Sequence, residues 1–118
     1  MALITSHILN SVNGTHAANI AVELIRICQS GERETLLQTS TDEGGRVSEN
    51  VSLPDEACND HYELVFQTGD YFKSQRLPLS GVSIMQEVVI RFIMPDHNGQ
   101  YHMPLMLSPN SYSVWCAS

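Results

Sequence analysis

NIAVELIRI, residues 19–27, is the stretch that decides the fold class. Ile20, Val22 and Leu24 alternate with Ala21 and Glu23. A period of two sends successive side chains to opposite faces of an extended chain, the pattern of a half-buried strand. Working outward, the same type of run recurs at residues 3–9, 35–39, 61–68 (HYELVFQT), 86–94 (QEVVIRFIM), from Gln100 through YHMPLMLS, and in the closing SYSVWCAS. Turn-forming clusters separate them: NG at 13–14, SG at 30–31, DEGG at 42–45, PD at 54–55, TGD at 68–70, SG at 80–81 and PDHNG at 95–99. About seven or eight strands, spaced roughly 8–15 residues apart, predict an antiparallel β-sandwich. The run after PDHNG stands at hairpin distance from residues 86–94. Pro104 inside it predicts an edge strand or a bulge, because proline cannot donate to a ladder. A single short helix fits residues 69–77, with Asp70 as N-cap and Pro78 as stop.

A length of 118 residues predicts one domain spanning 1–118, and 42% hydrophobic residues supply a core. Charged residues are only 16% and form no block of one sign, which excludes a disordered acidic chain. The net charge of −7 excludes a broad cationic face for nucleic acid. Lys73 is the sole lysine, so polybasic lipid binding is not expected. No apolar run approaches the roughly 20 residues of a membrane helix, so no membrane partner is expected either. MALITSHILN has neither a basic start nor a long apolar stretch, and the expected location is cytoplasmic. Cys28, Cys58 and Cys116 are odd in number and lack CxxC spacing. They predict no disulfide framework and a reduced compartment.

His7 and His102 fall in strand-like segments with apolar neighbours, and Arg46 follows two glycines. Taken singly, each also reads as an ordinary packed strand histidine or solvated turn arginine. His16 and His61 sit among turn-type residues and read as solvated loop histidines, as does His97 in PDHNG. His97 and His102 are spaced across a turn in a way that does not converge two imidazoles, so no metal site is expected. There is no GxSxG, phosphate loop or dinucleotide fingerprint. The residues alone thus lead to an acidic β-sandwich with a candidate His/Arg site.

The tail carries more. YHMPLMLSPNSYSVWCAS (101–118) resembles the C-terminal signature of the transthyretin-related family, whose usual form is about YHVPLLLSPxGYSTYRGS. Three further segments resemble the family in the same order. LITSHILNSVNGTHAANIAVEL (3–24) is similar to its opening strand, turn and second strand. TDEGGR (41–46) is similar to the TDxxGR turn, and VFQTGDYF (65–72) to the segment leading into the family's short helix. The resemblance implies a two-sheet sandwich with one short helix, assembled as a homotetramer, a dimer of dimers, with sites in a channel between dimers. The family's enzymes are 5-hydroxyisourate hydrolases of purine catabolism, which open a ring of that small-molecule substrate to give 2-oxo-4-hydroxy-4-carboxy-5-ureidoimidazoline. No cofactor or metal is implied. Matched residue by residue, the family's catalytic set falls on His7, Arg46 and His102, and its tail tetrapeptide on Trp115–Ser118.

Departures from the family pattern concentrate at the site. Gln100 stands where HYHVP has its first histidine, keeping hydrogen bonding without titration. YRGS becomes WCAS: Trp115 for Tyr, Cys116 for Arg, Ala117 for Gly, with Ser118 retained. Losing the arginine removes a fixed charge and its donor fork. Gln100, Trp115, Cys116 and Ser118 are the expected substrate-binding residues. Cys116 facing the channel would make it less cationic and more apolar, and its two readings are an activated nucleophile and a small apolar filler. Three functions stay open: a 5-hydroxyisourate hydrolase with a variant tail, a repurposed enzyme acting on another lactam or heterocycle, and a non-catalytic small-molecule binder such as transthyretin. The retained His7, Arg46 and His102 argue against the last.

Overall fold

The structure is a computed structural model describing residues 1–54, 59–75 and 81–118. Its organising strand is β1 (Ala2–Asn10). Burial alternates strictly along it: Ala2, Ile4, Ser6, Ile8 and Asn10 are buried, while Leu3, Thr5, His7 and Leu9 are half-exposed on the outer face. β1 pairs antiparallel with β2 (Thr15–His16) and with β5 (Arg46–Val51). It pairs parallel with β8 (Gln100–His102) and β9 (Leu105–Ser108), and β10 (Ser111–Val114) runs antiparallel along β9. The second sheet is antiparallel throughout, in the order β4 (Arg33–Ser40), β3 (Ala21–Ile27), β6 (His61–Phe66), β7 (Val88–Ile93). Ile4, Ile8, Leu24, Leu64, Phe66 and Leu105 meet between the two sheets as core. Helix α1 (Thr68–Gln75) adds Tyr71 and Phe72 to that core, and Asn10 of β1 donates to the Tyr71 hydroxyl at 3.2 Å.

The sandwich is thus as expected, with physical departures in detail. The sequence reading has no strand at residues 46–51, yet β5 is there. Its alternation is broken because Glu49 occupies an inward position opposite Ile4, where it accepts a hydrogen bond from Thr39 Oγ1 at 3.2 Å. The run after Gln100 is two strands, split at Met103–Pro104, as the proline's missing N–H requires. Both halves pair parallel with β1, so the six-stranded sheet is mixed. PDHNG closes no hairpin: β7 pairs with β6, and the chain then crosses to the other sheet at β8. Thr68 opens the helix, which places Asp70 in the first turn instead of at the cap. Leu77 and Pro78, taken as the helix end and stop, lie outside the described residues, as do Asp55 and Cys58. Cys28 is half-buried, Cys116 exposed, and both are free. His16 and His61 belong to strands, not loops. Among the described residues, no helix is long and apolar enough to cross a membrane.

Candidate active site

The outer face of β1 collects the candidate residues. His7 stands directly opposite Arg46 in the β1–β5 ladder. Thr5, two residues earlier on the same face, stands opposite His102 in the β1–β8 ladder. Side chains two apart on a strand share a face, so His7, Arg46 and His102 come together there. His7 and His102 are half-exposed and Arg46 is exposed.

The turn at residues 42–45 sets Arg46 in place. The Asp42 carboxylate accepts the backbone N–H groups of Gly44 and Arg46, each at 2.9 Å. Gly45 has φ +73°, and its carbonyl accepts the Ile8 N–H at 2.8 Å. The turn therefore lies flush on β1, and β5 begins at the residue facing His7. His102 is held from both sides. Its Nδ1 shares a hydrogen bond with Thr5 Oγ1 at 2.7 Å, which leaves Nε2 available. Its N–H donates to the Ala117 carbonyl at 2.8 Å, and its carbonyl accepts the Ala117 N–H at 2.9 Å. The Trp115 ring meets the imidazole edge-on, with centroids 6.2 Å apart.

A second imidazole joins the first-strand histidine. His16 of β2 brings its Nδ1 to 3.0 Å from His7 Nε2, and the two rings stack with centroids 5.1 Å apart. The signal for this was present in the sequence: a hairpin turning at Asn13–Gly14 sets residue 16 opposite residue 9, diagonal to residue 7 on one face. Reading His16 as a loop residue hid it. Burial pushes His7 below the ordinary imidazole value of 6.5, and the positive charge of Arg46, then His16 and His102, push the same way against a hydrogen bond to the Gly44 backbone. His7 is accordingly neutral at pH 7.

The tail residues divide between clefts. Trp115, 63% exposed, lines a cleft of about 180 Å³ with His7, Leu9, Pro104 and Met106. Cys116, Ala117 and Ser118 line a different, apolar cavity of about 240 Å³ with Phe92, Ile93 and Tyr101, at the edge between the two sheets. Gln100 and Ser118 border a third, of about 270 Å³, beside Asp96 and Gly99. The structure thus groups His7, His16, Arg46, His102 and Trp115, and sets Cys116, Ser118 and Gln100 apart from the His7 cleft. Among the described residues, no three His, Cys, Asp or Glu side chains are grouped to hold a metal ion. A neutral imidazole, a guanidinium and a second imidazole on one face can move a proton and stabilise an oxyanion.

Comparison with known proteins identifies the relatives of this fold. A 5-hydroxyisourate hydrolase of Halalkalibacterium halodurans is 34% identical over 115 residues, covering 98% of this chain and 97% of the relative. The solved structure of Klebsiella pneumoniae 5-hydroxyisourate hydrolase superposes with a TM-score of 0.77 at 26% identity, covering all of both chains. An (S)-allantoin synthase structure superposes with a TM-score of 0.82 at 28% identity; the match covers 99% of this chain and 44% of the longer one. Residues 4–116 match the profile of the HIUase/Transthyretin family, and the chain belongs to that family.

Proposed function

We propose that this protein is a 5-hydroxyisourate hydrolase, a single domain over residues 1–118 acting in urate degradation with His7, Arg46 and His102 as its catalytic residues. The observation that carries the reading is that these three side chains, matched one by one to the family's set, occupy one outer face of β1 and its neighbours. Ring opening adds water across an amide-type C–N bond. A neutral imidazole, His7, takes a proton as the water oxygen attacks the carbonyl carbon. Arg46 stabilises the oxyanion of the tetrahedral intermediate. As the C–N bond breaks, the departing nitrogen receives a proton from His102, which the proton taken up by His7 replaces, and the carboxylic acid so formed gives up water's second proton to solvent to become a carboxylate. The chemistry needs neither cofactor nor metal. The proposal extends to a cytoplasmic homotetramer that has no nucleic-acid or membrane partner.

The test is hydrolysis of freshly generated 5-hydroxyisourate, measured against its spontaneous decay. Arg46→Ala and His102→Ala should each lower turnover by roughly 100-fold or more, the scale of an oxyanion-stabilising or acid–base group. Near-normal turnover in both variants overturns the assignment. One observation favours a second reading, action on a different lactam or heterocycle: the indole of Trp115 stands at the cleft, where the family's tetrapeptide begins with Tyr. Faster turnover of such a compound than of 5-hydroxyisourate would establish it.

A further inference from the structure

We propose that His16 is a positioning residue for His7, donating its Nδ1–H to His7 Nε2 in the free protein and holding the place that the attacking water takes during reaction. This rests on the functional reading above and goes beyond it: His16 lies within the opening segment (3–24) that resembles the family, but it is not among the residues matched to the family's catalytic set. Two imidazole nitrogens 3.0 Å apart share one proton. A hydrogen bond to a backbone carbonyl favours the charged ring, which is the effect the Gly44 backbone has on His7. With Nε2 facing His16, the ring nitrogen left for that carbonyl is Nδ1. His7 is then the Nδ1–H tautomer, its Nε2 is an acceptor, and His16 must be the donor.

The backbone makes this contact a built one. Ile8 accepts the Ala17 N–H at 2.9 Å and donates its own N–H to the Gly45 carbonyl at 2.8 Å, so β2 and the 42–45 turn are both fastened around His7. A Cβ at Gly45 would sit 3.4 Å from the His16 Cβ, so the turn also backs the second ring. The charged and titratable groups around the pair are few. β5 contributes Arg46 and β8 contributes His102, both acting on His7. The turn contributes Glu43 and Asp42, and the Asp42 carboxylate is engaged by its own turn's amides. A donor aimed at Nε2 stabilises neutral His7 against protonation and fixes its ring plane. Both effects keep the base ready at the acid end of the working range.

The test compares wild type, His16→Ala and His16→Asn, whose amide retains a donor without a titrating ring. The NMR titration of the His7 ring is followed in each unliganded protein, and kcat and kcat/KM are measured against pH. His16→Ala should move the His7 midpoint upward. At pH 6 it should lower kcat/KM about 2- to 10-fold relative to wild type, the range of one lost hydrogen bond. kcat above pH 8 should stay within about 2-fold, because kcat/KM reports the free protein and kcat the complex in which His16 has yielded its place. His16→Asn should restore the wild-type acid limb. An unmoved His7 midpoint in His16→Ala, or a uniform loss at every pH, overturns the proposal. The NMR arm needs no turnover, so absence of 5-hydroxyisourate hydrolysis in the wild type would fell the functional reading while the His16 contact is still decided.

Discussion

A Cβ placed on Gly45 would meet the Ile8 carbonyl oxygen at 2.5 Å and the Ala17 nitrogen at 3.1 Å, at a backbone φ of +73°. Backbone atoms cannot step aside as a flexible side chain does, so Gly45→Ala must displace the turn from β1. The expected cost is about 1–3 kcal/mol, the scale of a left-handed non-glycine residue together with a backbone clash. It should appear as a lowered urea midpoint, and turnover should fall with it because Arg46 is the next residue. Gly44→Ala is the control, since its added Cβ meets the Asp42 carboxylate at an ordinary 3.4 Å. The depressed His7 fixes the pH response. The native state holds His7 neutral where the unfolded chain, near 6.5, already binds a proton. Its contribution is therefore complete above about pH 6.5 and is lost as pH falls below that value. Urea midpoints should decline on that side, more steeply in wild type than in His7→Gln; equal slopes would dismiss His7 as their source. His7, Arg46 and His102 were legible in the sequence because each stands in a motif of fixed order. His16 was legible only through the register of the hairpin at Asn13–Gly14, because period-two patterning has nothing to show in a two-residue strand.

Strands with clean alternation were legible, and strands that depart from it were not. β3 and β6 could be read directly because Val22, Leu24, Tyr62 and Leu64 point one way. β5 escaped because Glu49 turns inward, satisfied by a hydroxyl from a distant strand. The crossing from β7 to β8 escaped because PDHNG has the composition of a hairpin turn, while pairing partners are chosen by the sheet as a whole. Pro104 did announce its break, and the Met103 carbonyl next to it accepts the Ser6 hydroxyl at 2.6 Å. The tail, an extension of the β10 direction, carries a sharper prediction. Trp115 lines the His7 cleft and Cys116 lines the cavity at the sheet edge. Trp115→Tyr alone should therefore change KM for 5-hydroxyisourate several-fold, by trading indole area for a hydroxyl. Cys116→Arg alone should leave kcat/KM within about 2-fold, since its guanidinium starts from the other cavity. The two single variants, assayed side by side, separate the tail's contributions. A large gain from Cys116→Arg alone would mean that the tail backbone re-routes toward the His7 cleft.

At the scale of the whole molecule, each sheet ends in an edge strand: β7 in one and β10 in the other. Phe92 and Ile93 of β7 share the apolar edge cavity with Cys116–Ser118 of the tail that follows β10, so both edges open on the same side of the sandwich. Ile93 is 52% exposed, and Val89 and Tyr112 are exposed as well. Unpaired backbone with apolar flanks is an aggregation hazard unless another chain covers it. The His7 cleft gives an independent reason for assembly. At about 180 Å³ it is smaller than the roughly 300 Å³ at which small-molecule pockets begin, and in the proposed tetramer a second copy facing it would supply the remaining wall. In that assembly one contact would cover an edge and the other an outer face. Two different self-complementary contacts on one chain generate a dimer of dimers. Light scattering should therefore find a tetramer of roughly 52 kDa, four times the 13.1 kDa chain. Ile93→Lys should split it at the β7 edge, because a charge there would be buried against its own copy. If the outer face makes the channel, the resulting smaller species should retain dimers closed over His7 and keep measurable turnover. A fully active monomer near 13.1 kDa would show instead that one sandwich suffices for the chemistry.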